Sequence, residues 1–168
     1  MYNENYSWSS FGMIDFIEVK NEHQIQQFAN FKVKLMTEIK EAALKLDIID
    51  KDLQNYNINR ALKSVDLRDS FLISYNDRYI GSFQVSIREA LCETKEIVYL
   101  HNVYIEESFR NLGIGQKIIN FISTRYKKPI ECECWYEMGS LSFFQSLGFR
   151  MVRILLYSDQ NCISENKK

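Results

Sequence analysis

Proline occurs once in the chain, at position 129, and histidine only twice, at positions 23 and 101. No apolar stretch approaches the roughly 18 residues that a membrane span needs. No basic run or stripe stands out, and the formal net charge is −1. Neither membrane insertion nor electrostatic nucleic-acid binding is therefore expected. The opening "MYNENYSWSS" lacks the positive start and apolar middle of a signal peptide, which makes a cytoplasmic location the expectation. The four cysteines are Cys92, Cys132, Cys134 and Cys162. Cys132 and Cys134 form a C-x-C on an expected strand, but two histidines are too few to complete a metal site at suitable spacing. They read as small buried thiols in a reducing compartment, with no metal.

What is present suits an ordinary globular domain: 168 residues, 46% apolar and 26% charged. A polar, aromatic leader (1–12) precedes a single domain (13–157), and a polar tail (158–168) follows it. "MIDFIEVK" (13–20) alternates like a strand. Asn21 precedes Gln24 by three residues, a capping box. Ile25, Phe28, Leu35, Met36, Ile39, Ala43 and Leu46 then recur near a 3.6 period, which predicts a long helix. A weaker helix is predicted from about Asp50, covering Leu53, Tyr56 and Leu62. "SFLISYNDRYIGSFQVSI" (70–87) reads as two strands turning at Asn76-Asp77, residues that tolerate the positive φ of a tight hairpin. Residues 96–105 form another strand. Ile114, Ile118, Ile119 and Ile122 mark an amphipathic helix. Further expectations are a strand at 130–135, a short helix over 140–149 closed by Gly148, and a last strand at 149–158. The order β-α-α-β-β-β-α-β-α-β predicts an α/β (α+β) fold, a mixed sheet with helices on both faces.

The stretch "HNVYIEESFRNLGIGQKIINFI" (101–122) places Gly113 and Gly115 at the mouth of a helix. A helix N-terminus offers unpaired N–H groups and a positive dipole end to an anion, and a missing Cβ lets backbone approach it closely. The other reading of the same glycines is a tight strand-to-helix turn. A Walker loop is not matched. The dinucleotide fingerprint fails because Ile118 stands where its third glycine belongs.

Arg110-Asn111-Leu112-Gly113-Ile114-Gly115 resembles the [QR]-x-x-G-x-[GA] motif of the GNAT superfamily of acyl-CoA-dependent N-acetyltransferases. "SFFQSLGF" resembles the family's later F-Y-x-x-x-G-F segment, and "NDRYIGSF" its second and third strands. The likeness spans roughly residues 13 to 157. It implies a GNAT-type sheet, mixed but mostly antiparallel, and acetyl-CoA as cosubstrate. It implies that amides from Asn111, Leu112, Gly113, Ile114 and Gly115 cradle the CoA pyrophosphate, and that the backbone of Val103, Tyr104 and Ile105 pairs with the pantetheine arm. One amide on that strand would polarise the thioester carbonyl. Arg110 either touches phosphate or shapes the turn.

Thioester aminolysis needs a neutral amine, and an amine near pKa 10.4 is about 0.1% neutral or less at pH 7. Strict alternation places Tyr99, His101, Val103 and Ile105 on one face of their strand and Leu100, Asn102 and Tyr104 on the other. The resemblance places a base or water-holding residue mid-strand. His101 occupies that place and would titrate near neutrality if unperturbed. The competing reading is a histidine hydrogen-bonded under the first helices. Glu96 lies too near the strand start to be preferred. The family's tyrosine acid is replaced by Phe144, leaving Tyr136, Tyr104 or water to protonate the departing thiolate. Phe144 would pack against the pantetheine. Glu137 and Ser140 also depart from the family's asparagine and alanine.

The expectation is acetyl transfer to a small amine, or to a peptide or protein amine, by direct attack. The chain would act as a monomer or homodimer, and residues 40–66 and 150–157 would choose the acceptor. The alternative is a non-catalytic acyl-CoA-binding module. A further variant, a longer acyl donor, would use small residues at Gly81 and Ser82, and a thiol relay would fall to Cys134.

Overall fold

In the computed structural model the described residues are 12–45, 51–90, 95–134 and 140–152. Strand β1 (Ile14–Glu18) leads into helix α1 (Glu22–Lys45). The capping box holds: Asn21 Oδ1 accepts from the Gln24 amide at 3.0 Å, and Gln24 Oε1 accepts from the Asn21 and Lys20 amides at 3.3 and 2.9 Å. The region after Asp50 carries two short helices, α2 (Lys51–Gln54) and α3 (Ile58–Lys63), where one was expected. Asn57 separates them because its side chain caps α3, accepting from Asn59 and Arg60 amides at 3.1 and 3.2 Å.

Strands β2 (Asp69–Tyr75) and β3 (Arg78–Glu89) turn at Asn76 and Asp77, with φ of 48° and 63°. This is the double left-handed turn that Asn and Asp accommodate. Strand β4 (Glu96–Ile105), helix α4 (Ile114–Tyr126), strand β5 (Ile130–Cys132) and helix α5 (Ser140–Ser146) follow. Gly148, at φ 84°, ends α5, where the Phe149 amide returns to Phe144 O at 3.1 Å. The strand expected at 130–135 stops at Cys132 among the described residues. Of the strand expected at 149–158, residues 149–152 are described and are not strand, and the others lie outside the described residues.

The sheet runs β1-β2-β3-β4-β5, antiparallel except for the parallel β4–β5 pair. One face carries α4, whose Ile114, Ile118, Ile119 and Ile122 are buried against Phe71, Ile73, Phe83, Val85, Val98 and Leu100. Burying each such isoleucine contributes about 1.5–3 kcal/mol. The other face carries α1, with Phe28, Phe31 and Leu35 packed on Leu72 and Tyr104. The mixed, mostly antiparallel sheet between helices matches the expected fold class.

Candidate active site

The site begins at a register fault in β4. Gln84 pairs with Asn102, but the next residue of β3, Val85, pairs with Leu100, leaving His101 as the extra residue of a β-bulge. The bulge overturns the strict alternation expected for this strand. Val103 and Ile105 pack on the α4 side together with Val98 and Leu100. Tyr104 stacks on Phe31 of α1, centroids 5.7 Å apart, and the His101 ring contacts Tyr99 with centroids 4.7 Å apart. His101 and Val103, expected on one face, are therefore on opposite faces.

The same stretch of β4 loses a neighbour. Among the described residues, strand β5 pairs with β4 only at Val98, Tyr99 and Leu100, while β4 runs on to Ile105. The Glu106 amide donates to Ile80 O at 2.9 Å. Ladder alternation therefore turns Tyr104 toward β3 and the N–H and C=O groups of Val103 and Ile105 toward the side β5 has left. Ile105 O accepts from Arg110 Nε at 2.9 Å. Among the described residues nothing pairs with the outward backbone of Val103, which keeps an open edge.

The glycine loop lies at the end of that edge. Asn111 (φ 62°) and Gly113 (φ 72°) are both left-handed, and Gly113 is the N-cap of α4 with no side-chain cap. The first-turn amides of Ile114, Gly115 and Gln116 thus have no partner within the helix, and the N-cap glycine offers no side chain to cap them. A Cβ on Gly113 would meet nothing within 4 Å, so this glycine answers to its backbone conformation and to open space outside. Gly115 is different: a Cβ there would stand 2.5 Å from the Phe143 ring, so the second glycine admits α5 against α4. Leu112 is exposed. Arg110 braces the loop, donating to Glu38 Oε1 of α1 at 2.6 Å as well as to Ile105 O.

On the α1 side, His101 sits in a polar layer whose other members the sequence did not single out. Its Nε2 is 2.7 Å from Ser86 Oγ. Burial, and then the charges of Arg68, Lys32 and Arg88, push its pKa down from 6.5 to about 4. The ring is thus perturbed, and at pH 7 it is neutral and only weakly basic. Arg88 lies 3.3 Å from the centroid of the Tyr99 ring and 3.7 Å from Glu131. Lys32, from α1, is 4% exposed and donates to Ser64 Oγ and Gln84 Oε1 at 2.7 and 2.8 Å. Its spacing from Phe28 and Leu35 places it on the apolar stripe of α1, a signal visible in the sequence.

Phe144 packs in the α4-side cluster, its centroid 5.1 Å from Phe143 and 5.2 Å from Phe149. Tyr136 and Glu137 lie outside the described residues. Gly81 leaves no room beside β4, because a Cβ there would collide with Tyr104 O. Cys132 and Cys134 are half-buried free thiols, and burial raises the Cys132 pKa to about 12, with Cys134 and Glu133 adding to the shift. That thiol stays protonated at neutral pH. A groove of about 460 Å³ lies nearby, lined by Phe31, Lys34, Ile58, Tyr79 and Glu106 among others, and does not include His101 or the glycine loop.

A strand edge running into an uncapped helix N-terminus is an arrangement able to take an extended, phosphate-bearing ligand. The protein-family model described as "Acetyltransferase (GNAT) domain" matches residues 67–151, and the chain belongs to this family. Acetyl-CoA is the cosubstrate that goes with it. Among solved structures, the chain is similar to aminoglycoside N-acetyltransferase AAC(6')-Iy in complex with CoA, with 16% identity, 89% of this chain and 96% of that chain covered, and TM-score 0.67. It is similar to the same protein in complex with a bisubstrate analogue, CoA-S-monomethyl-acetylneamine, at 17% identity, 88% and 99% coverage, and TM-score 0.66. Glucosamine-6-phosphate N-acetyltransferase from Arabidopsis thaliana aligns at 11% identity, 88% and 99% coverage, and TM-score 0.56. No curated protein matches the sequence. No helix among the described residues is long and apolar enough to cross a membrane.

Proposed function

We propose that the chain is an N-acetyltransferase that moves the acetyl group of acetyl-CoA to a primary amine by direct attack. The observation that carries this reading is the open Val103 edge of β4 leading into the uncapped α4 N-terminus. The amides from Asn111 to Gly115 would take the pyrophosphate, with Gly113 leaving its approach clear. The Val103 backbone and the Ile105 N–H would align the pantetheine strand-fashion, since the Tyr104 backbone faces β3 and Ile105 O is held by Arg110, and Phe144 would pack beside it. Arg110 serves as a brace between the loop and α1.

In the reaction the amine nitrogen bonds to the thioester carbonyl carbon, the C–S bond breaks, and the nitrogen loses one proton while the thiolate gains one. The Val103 N–H is the donor placed to meet the charge that grows on the carbonyl oxygen, a role typically worth about 3 kcal/mol. His101, at a pKa of about 4, is too weak a base to strip an ammonium unaided. The burial and the three cations that depress His101 also depress an ammonium held beside it, so the site favours the neutral amine through its field. His101 and Ser86 then position the amine or a water that carries its proton away. A thiolate with a pKa near 8.5 leaves tolerably without a dedicated acid, which suits the phenylalanine at position 144.

Calorimetric titration of CoA and acetyl-CoA, with dephospho-CoA as control, tests the reading. Micromolar binding that weakens in Gly113→Val is expected, because valine is strained at φ 72° by about 1–2 kcal/mol and its side chain enters the anion's space. Absence of binding in the native protein sinks the reading. Binding with no turnover over an amine panel replaces it with that of an acyl-CoA-binding module.

A further inference from the structure

Arg68 and Lys32 form an arrangement that the transfer reaction does not explain. Lys32 Nζ and Arg68 Nη1 converge on one neutral oxygen, Gln84 Oε1, at 2.8 and 3.4 Å. The amide nitrogen of Gln84 is already committed to Ser64 O and Ser70 Oγ, both at 2.9 Å, so the side chain is locked with its oxygen toward the cations. No carboxylate among the described residues pairs with Lys32 or Arg68. This contrasts with Arg110, Arg125 and Arg78, each of which meets a glutamate. Tyr56 lies within the field of Arg68, and its hydroxyl is buried with no hydrogen-bond partner among the described residues.

Two like charges withdrawn from water repel each other and lose hydration, and a buried hydroxyl without a partner loses its hydrogen bonds. In a chain of net charge −1, leaving such a pair without a counterion is a local choice. Partly buried Arg68 presents a planar donor fork suited to carboxylate or phosphate. Lys32, almost wholly buried, supplies field where Arg68 supplies contact. His101 lies within electrostatic reach of both, which puts the unmatched charge beside the place proposed for the amine.

We propose that this cluster is the acceptor subsite, and that the acceptor amine carries an anionic group, a carboxylate or phosphate, gripped by Arg68 and by the Tyr56 hydroxyl. The inference rests on the acetyltransferase reading and narrows its substrate class. An anion seated there neutralises part of the field on the amine, while burial, the larger cause of the depressed His101 basicity, remains.

The test has a binding arm and a turnover arm. Thermal unfolding is followed at fixed ionic strength with CoA saturating, so that the glycine loop is filled, and succinate or inorganic phosphate is then added as probe. Native protein is expected to gain stability from one of these anions, Arg68→Gln to lose that gain, and Tyr56→Phe to keep only part of it. Turnover compares 4-aminobutyrate with butylamine, and glucosamine 6-phosphate with glucosamine, which separates a carboxylate from a phosphate preference. The anionic member of one pair is expected to lead in kcat/KM, and Arg68→Gln to erase roughly 10- to 100-fold of that lead, the usual range for a charged hydrogen bond, beyond any loss of field that lowers both members alike. An anion-induced shift that is absent, or equal in Arg68→Gln, overturns the subsite, as does a preference that survives the substitution. A missing CoA shift instead removes the acetyltransferase reading, whatever the anions do.

Discussion

His101 should carry almost no proton above pH 5, and this can be tested without knowing the acceptor. Its pKa falls from the ordinary 6.5 to about 4, first through burial and then through Arg68, Lys32 and Arg88. Tyr99 touches the ring and Ser86 bonds Nε2, while Glu131 and Glu133 attend to Arg88 and Tyr99. The folded value lies below the unfolded one. The native state therefore refuses a proton that the unfolded chain accepts as pH drops from 6.5 toward 4. Stability from this group is complete above pH 6.5 and declines through that window. Between pH 7 and pH 5 the linkage amounts to about 1.8 kcal/mol, and solvent screening of a half-buried ring cuts it to about 1 kcal/mol. Urea unfolding at the two pH values should show that loss in the native protein and its absence in His101→Gln. With only two histidines, an imidazole NMR titration assigns the midpoint directly once the variant removes one signal. A His101 midpoint at pH 6 or above would refute the argument and restore the side chain as an ordinary near-neutral base.

Gly115→Ala should destabilise the fold by about 1–3 kcal/mol, because its Cβ presses on the Phe143 ring at 2.5 Å. Chemical denaturation checks this, and the double variant with Phe143→Ala should recover part of the loss. A Gly115→Ala protein as stable as the native one would contradict the packing role. Lys32 has its pKa lowered to about 8 by burial and Arg68, so the native state holds fewer protons than the unfolded chain between pH 8 and 10.5. Stability should climb with pH across that window, and Lys32→Met should remove this part of the slope. A difference in slope of the opposite sign would mean that the ammonium is better accommodated than its partners indicate.

The parts of the fold written in local periodicity were legible in advance. The four isoleucines of α4, the Asn21–Gln24 box and the Asn76-Asp77 turn depend on residues a few positions apart, and each is found as read. The glycine loop was legible as a place, though its two glycines do different work. Gly113 answers to backbone conformation, whereas Gly115 answers to Phe143, almost thirty residues onward and invisible to any local pattern. The bulge was missed because alternation assumes one residue per step, and nothing in "YLHNVYI" marks the extra one. Arg68 was missed because a loop arginine carries no period, and Tyr56 because a helical spacing over Leu53, Tyr56 and Leu62 says nothing of where a hydroxyl ends up. Lys32 could have been found, since a cation on an apolar stripe has to be accommodated somewhere. Its partner, Gln84, is set by the fold alone.

The bulge at His101 also gives β4 two reading frames. Up to Leu100 the strand is spelled in one phase, and from Val103 it is spelled in the other. Deleting His101 would remove no core side chain and would leave Leu100 and Asn102 adjacent, opposite Val85 and Gln84. The ladder would then alternate without a break, with Val103 and Ile105 still toward α4 and Tyr104 still toward α1. Loss of a residue elsewhere in β4 would instead turn part of the strand over, carrying core side chains to the wrong face. So β4 should tolerate the loss of a position at the bulge far more readily than the loss of one elsewhere along its length.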